Sequence, residues 1–221
     1  MADISFQDGS FQHGLQVLEA RTKITAILIW IVIALGLLMA LGELSEAAGV
    51  IDLASADAGI VELIVGLVYT GWLIAFAISV VVIGLWIHRA HANLLAAGID
   101  ELEFSPGWSV GWFFVPIANL FKPFQAMREL VNTSNGVSNS FGGETPGDVK
   151  VWWGCYIIGN IVSTISVRIE LNAGPDGIAA AALMGAISSI LTAASAWFLL
   201  KIVRDVMEAQ RSHLGVNATF A

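Results

Sequence analysis

Four long apolar runs mark the chain, at residues 24–41, 60–87, 151–167 and 178–203. A helix needs about 20 mostly apolar residues to cross a bilayer. The pattern therefore predicts an all-α integral membrane bundle of four transmembrane helices. The third run is the shortest and carries Asn160 and Thr164. Residues 1–23 read as a polar, amphipathic lead and 204–221 as a polar tail, with one membrane domain at 24–203 between them. The lead is too long and too acidic for a cleaved signal peptide.

Charge orders these runs in space. Arg21 and Lys23 precede the first, Arg89 follows the second, and Lys122, Arg128 and Lys150 lie between the second and third. Lys201, Arg204 and Arg211 end or follow the fourth. If the chain starts in the cytoplasm and crosses four times, nine of its ten Lys and Arg residues stay inside and only Arg168 lies outside. The positive-inside rule then places both termini in the cytoplasm, and the protein in the cell inner membrane. The outer connections carry Glu43, Glu46, Asp52, Asp57, Glu170 and Asp176. These read as solvated loops, or more sharply as a vestibule that attracts cations. Trp86, Trp152, Trp153 and Trp197 fall toward the inner ends, as an interfacial aromatic belt would.

A fifth apolar stretch, 104–121, contains no charged residue. Were it to cross, Lys122, Arg128, Lys150, Lys201, Arg204 and Arg211 would move outside and only four of ten basic residues would remain within. A re-entrant or interfacial segment over 105–121 is the better reading. Ser105-Pro106 is a helix start, with Ser as cap and Pro at the first helical position. Gly107, Gly111 and Pro116 then weaken the backbone ladder. Trp108, Trp112 and Phe113 are the expected anchors. Pro123 opens a short interfacial helix, 123–131, bearing Arg128, and 132–150 reads as a cytoplasmic loop.

The residues Trp86-Ile-His-Arg89-Ala90-His-Ala-Asn93-Leu94, followed by Ser105-Pro106-Gly107-Trp108-Ser-Val-Gly111-Trp112-Phe-Phe-Val-Pro116-Ile-Ala-Asn119-Leu-Phe-Lys-Pro123-Phe-Gln-Ala-Met-Arg128, resemble a bacterial membrane family known as domain of unknown function 4328. The resemblance implies a multi-pass membrane protein and no particular chemistry.

Candidate sites cluster around that stretch. Arg89 and Asn93 lie one helical turn apart and are expected to bond backbone carbonyls freed by Gly107, Gly111 and Pro116. Asn119 and Arg128 lie beyond the segment, so Arg89 and Arg128 form an alternative anion or headgroup site. His88 and His91 share one face and are weak candidates for metal or haem, lacking a third ligand at a recognised spacing. The small-residue rows Gly71, Ala75, Ser79 and Ala181, Gly185, Ser189, Ala193 are expected to pack helix on helix.

Composition narrows the function classes. The chain is 57% hydrophobic and 13% charged with a net charge of −8, and its mean hydropathy is +0.77. The acidic balance argues against a nucleic-acid partner. The single cysteine, Cys155, excludes an internal disulfide framework. A phosphate loop is absent, a serine elbow is not read in the chain, and the spans are read as lacking an intramembrane charge. No cofactor is expected. The expectation is a non-enzymatic scaffold or accessory subunit with protein partners at the cytoplasmic face, or a homo-oligomer. A small-solute channel built on 105–121, or a metal or haem enzyme at His88 and His91, is the alternative. A reporter fused after Lys150 is expected to be cytoplasmic; a periplasmic reporter would overturn the crossing count.

Overall fold

The computed structural model describes residues 2–53, 59–137 and 143–214. These contain helices and turns and no strand. The helices are α1 (Ala2–Ala47), α2 (Ile60–Ala96), α3 (Pro106–Gly111), α4 (Lys122–Ser134), α5 (Gly147–Ala173) and α6 (Ile178–Ala209). Short 3₁₀ turns interrupt the chain after α3, and a π turn, Gln210–Leu214, ends α6.

Three of these helices, α1, α2 and α6, are long and apolar enough to cross a membrane. The expected third run forms as α5 but falls short on composition. Its 27 residues interleave Asn160, Ser163, Thr164 and Ser166 with the apolar positions, which dilutes the span. The 1–23 lead is no separate element: it is the first part of α1. Phe11, Leu15 and Leu18 are buried there at helical spacing.

The chain resolves into two compact units. The first comprises Met1–Ile27, Ser79–Lys150 and Phe198–Ala221. Its core holds Leu18, Trp86, Leu94, Leu130 and Val206, each fully buried. Trp86 donates from Nε1 to Thr22 Oγ1 at 2.9 Å, joining α2 to α1, and Arg21 donates to the Leu85 carbonyl. Helix α4 extends beyond the expected 123–131, and Asn132, Thr133 and Ser134 are buried rather than part of a loop. The remainder of that loop includes 138–142, outside the described residues.

The second unit comprises Leu28–Ile78 and Val151–Trp197. Helices α5 and α6 are joined in it by serine hydroxyls that donate to backbone carbonyls: Ser166 to Ala181, Ser188 to Gly159 and Ser195 to Trp152, at 2.7, 3.0 and 3.1 Å. A small side chain lets the helices approach closely enough for such bonds. Both expected small-residue rows contribute to it, with Ala75, Ala181 and Ala193 buried; Ser79, also buried, belongs to the first unit.

The aromatic belt needs correction. Trp86, Trp152 and Trp153 are 0%, 5% and 8% exposed, so they are core residues. Trp197 alone of the four is exposed, edge-on to Trp30.

Gly14 of α1 sits where any added Cβ would collide with the Arg89 guanidinium and the Asn93 amide oxygen. Gly14→Ala is therefore expected to lower unfolding free energy by about 1–3 kcal/mol, the range for overpacking. Thermal unfolding in detergent measures this; unchanged stability would show that the Arg89–Asn93 pair yields freely.

Candidate functional site: a carboxylate-lined cavity in the second unit

The expected site residues Arg89 and Asn93 do meet, in the first unit. Arg89 Nε donates to Asn93 Oδ1 at 2.8 Å. Asn93 Nδ2 donates to Gln210 Oε1 at 3.1 Å. Gln210 Nε2 in turn donates to the Ala90 carbonyl at 2.9 Å and to Ser134 Oγ at 3.2 Å. Asn93, Ser134 and Gln210 are fully buried. This chain ties α2 to the end of α4 and the π turn. The partners seen for Arg89 and Asn93 are thus each other and Gln210, not the carbonyls freed by Gly107, Gly111 and Pro116 on which the sequence reading rested.

The other expected residues scatter. Trp108 is exposed and its ring lies at a 35° tilt to that of half-buried Trp112, their centroids 4.8 Å apart. Pro116 is exposed, and Asn119 Nδ2 donates to the Phe113 carbonyl at 3.3 Å. Arg128 is half-buried on α4. His88 is exposed while His91 is fully buried, with Nδ1 3.0 Å from the Ile87 carbonyl. Among the described residues no group of three or more His, Cys, Asp or Glu is placed to hold a metal.

One motif requires correction. Residues 107–111, Gly-Trp-Ser-Val-Gly, do spell Gly-x-Ser-x-Gly. A nucleophile elbow needs an exposed serine on a strand-to-helix turn. Ser109 is instead fully buried within α3, and its hydroxyl donates to the Pro106 carbonyl at 2.8 Å.

Glu129 was invisible to sequence reasoning. Its carboxylate accepts the backbone N–H groups of Glu103 and Phe104 at 2.7 and 3.1 Å. It thereby holds the chain just before the Ser105 cap, whose side chain accepts from the Trp108 N–H. Burial pushes the Glu129 carboxyl up from the ordinary carboxylate range, against the lowering effect of those two donors.

The second unit holds the stronger candidate. A cavity of ≈740 Å³ opens there, with Glu43, Glu46, Glu62 and Glu170 in its wall. Tyr69, Trp72, Ser163, Ser166, Ser188, Ser189 and Thr192 also line it, and among the described residues no Lys, Arg or His does. Nor does any residue of 105–121. Glu43 is the unexpected member. It belongs to α1, not to an outer loop, and is 8% exposed. Ser189 Oγ donates to its Oε2 at 2.8 Å, and the Tyr69 hydroxyl bonds the same carboxylate. Gly185 makes room for it: an added Cβ would lie 2.8 Å from Glu43 Oε1. Glu62 is fastened differently, accepting the Gly59 N–H at 2.9 Å at the start of α2. Glu46 accepts from the backbone of Leu53.

The signal for Glu43 was present in the sequence. Ile29, Val32, Ile33, Gly36, Met39 and Ala40 form the buried face of α1, and Glu43 continues that face at helical spacing.

The family described as domain of unknown function (DUF4328) matches the chain over residues 50–208. The chain belongs to the DUF4328 family. No curated protein and no solved structure matches it. The DUF4328 stretch supplies most of the cavity wall, including Glu62, Tyr69, Trp72, Glu170 and Ser189, whereas Glu43 and Glu46 come from α1, ahead of the matched residues.

Ser189→Ala would leave the buried Glu43 carboxyl short of a donor. It is expected to lower unfolding free energy by about 1–3 kcal/mol, whereas Ser212→Ala, at an exposed position, should change it by less than about 0.5 kcal/mol. Equal effects in denaturation assays would remove Glu43 from its assigned hydrogen bonds.

Proposed function

We propose that this membrane protein binds a small organic cation in the carboxylate-lined cavity, without catalysing a reaction on it. The observation that carries the reading is the wall itself: among the described residues, four carboxylates and no basic side chain surround a space of ≈740 Å³. That volume lies within the range of about 300–1,000 Å³ typical of small-molecule sites. It is far larger than a bare metal ion requires. The rings of Tyr69 and Trp72 add faces that attract ammonium groups. A primary, secondary or quaternary amine suits both features.

The proposal includes four crossings of a bacterial inner membrane with both termini cytoplasmic. If α5 did not cross, Lys201, Arg204 and Arg211 would lie outside, against the positive-inside rule. At about 1.5 Å per residue, the 27 residues of α5 reach about 40 Å, enough for the crossing. The acidic cavity then faces the outer side, where it would collect cations arriving by diffusion. A non-enzymatic role is kept from the sequence reading, but its centre moves from the cytoplasmic surface around Arg128 to the cavity around Glu43.

The test is ligand-induced stabilisation of the detergent-solubilised protein. Spermidine and tetramethylammonium are expected to raise the melting temperature, with sulfate and glucose as inert controls. Glu43→Gln should abolish most of the shift. A shift absent for every amine, or unchanged in Glu43→Gln, would overturn the reading.

A further inference from the structure

Most of the apolar bulk in the first unit is packed, but one segment turns its large side chains outward. Phe114, Ile117, Leu120 and Phe121 are 70%, 77%, 56% and 45% exposed, in a stretch that carries no charge from Phe104 onward. Pro116 between the first two is exposed as well, so the tip of the segment presents an apolar edge.

The backbone is built to display that edge. Ile117 has φ 68° and ψ −52°, and the Ala118 N–H donates to the Pro116 carbonyl at 2.8 Å. This is the rarer, strained form of γ-turn, in a residue type that avoids positive φ. The turn is braced from behind: the Asn119 N–H donates to the Val115 carbonyl at 2.9 Å, and Asn119 Nδ2 donates to the Phe113 carbonyl at 3.3 Å. Strain of this sort persists only where the surroundings over-determine it.

Two contacts set the depth of the segment. A Cβ added at Gly84 of α2 would lie 3.2 Å from Val110 Cγ1, so α3 packs on α2 at Gly84, one turn inside the end of the apolar run at Ile87. At the base, Lys122 Nζ lies 3.4 Å from Glu103 Oε1 and 5.2 Å from the centroid of the Phe104 ring. The segment thus enters and leaves at one level, with its flanking charges paired there; beyond them its side chains are apolar except Ser105, Ser109 and Asn119, each bonded to backbone within the segment. On α2 itself Val80, Val81 and Leu85 are also exposed. In a spanning helix these face acyl chains, as would the outward edge of 114–121 at the depth set by the contact of Val110 with Gly84.

We infer that residues 105–121 form a monotopic wedge whose Phe114, Ile117 and Leu120 insert among the acyl chains of the leaflet at the Glu103–Lys122 pair. The occupant of this face is lipid, not a second copy or a protein partner. The inference rests on α2 being a membrane span, independently of the cavity's ligand. Internal hydrogen bonds around Ile117 suit an apolar medium, where no water satisfies the backbone.

The test uses the full chain with Cys155→Ser, reconstituted in vesicles, carrying a single environment-sensitive nitrobenzoxadiazole label at Phe114→Cys or Leu120→Cys. Leu67→Cys, on the exposed side of α2, and Asn135→Cys, beyond α4, are the controls. Both wedge labels are expected to emit at shorter wavelength than the Asn135 label and to be quenched by lipids spin-labelled on the acyl chain, as the Leu67 label is. Quenching of the wedge labels by aqueous iodide instead would overturn the inference. So would a blue-shifted emission quenched by neither agent, which marks burial against protein. If the Leu67 label too escapes lipid quenching, the span reading of α2 fails and the wedge falls with it.

Discussion

In each unit a glycine on one helix seats a polar side chain from the next, and the rest of the packing depends on that close approach. Gly14 of α1 leaves space for Arg89 and Asn93 of α2, and Gly185 of α6 leaves space for Glu43 of α1. Helices in a bilayer gain little from hydrophobic exclusion, because lipid is as apolar as their own side chains. Close backbone contact and hydrogen bonding must hold them instead. Here the bonds run from Trp86 to Thr22, from Ser188 to the Gly159 carbonyl and from Ser189 to Glu43. The last two run where Gly159 and Gly185 leave room for the neighbouring helix.

The two glycine-seated clusters differ in what they leave open. Around Arg89, Asn93 and Gln210, the buried amide groups bond one another and backbone carbonyls, giving a dense structural knot. Around Glu43 the hydroxyls of Ser189 and Tyr69 hold the carboxylate at the edge of a cavity. Glu46, Glu62 and Glu170 add acid to a wall otherwise made of hydroxyl, small and aliphatic side chains and the rings of Tyr69 and Trp72. The amine proposed as ligand would meet charge on those carboxylates and ring faces on Tyr69 and Trp72.

Much of the fold was legible because apolar run length is a coarse, robust signal. Three of the four expected runs lie in helices able to span a membrane, and Ser105 caps α3 as its sequence predicts. What sequence reasoning missed depends on distant partners. Gln210 and Asn93 are 117 positions apart, and neither residue type announces such a bond. Glu129 looks like any polar residue of a short helix until the N–H groups of Glu103 and Phe104 are seen around it. Glu43 was read as part of an acidic loop because charge near the end of an apolar run is ordinarily solvated. Only its register with Gly36 and Met39 separates it from its neighbours. The tryptophans were misread for a related reason: position along a span does not say which way a ring points, and Trp86, Trp152 and Trp153 point inward.

The central claim is a cation-selective cavity open to the outer side of the membrane. Gly66 lines it and has no atom within 4 Å of an added Cβ, so Gly66→Cys in a Cys155→Ser background places a thiol in the wall with little disturbance. The direct measurement is the rate at which membrane-impermeant methanethiosulfonates modify that thiol in intact cells. The account predicts that a cationic reagent reacts faster than an anionic one of similar size, and that Glu43→Gln narrows the difference. Equal rates for the two charges, or modification only after the membrane is permeabilised, would contradict it.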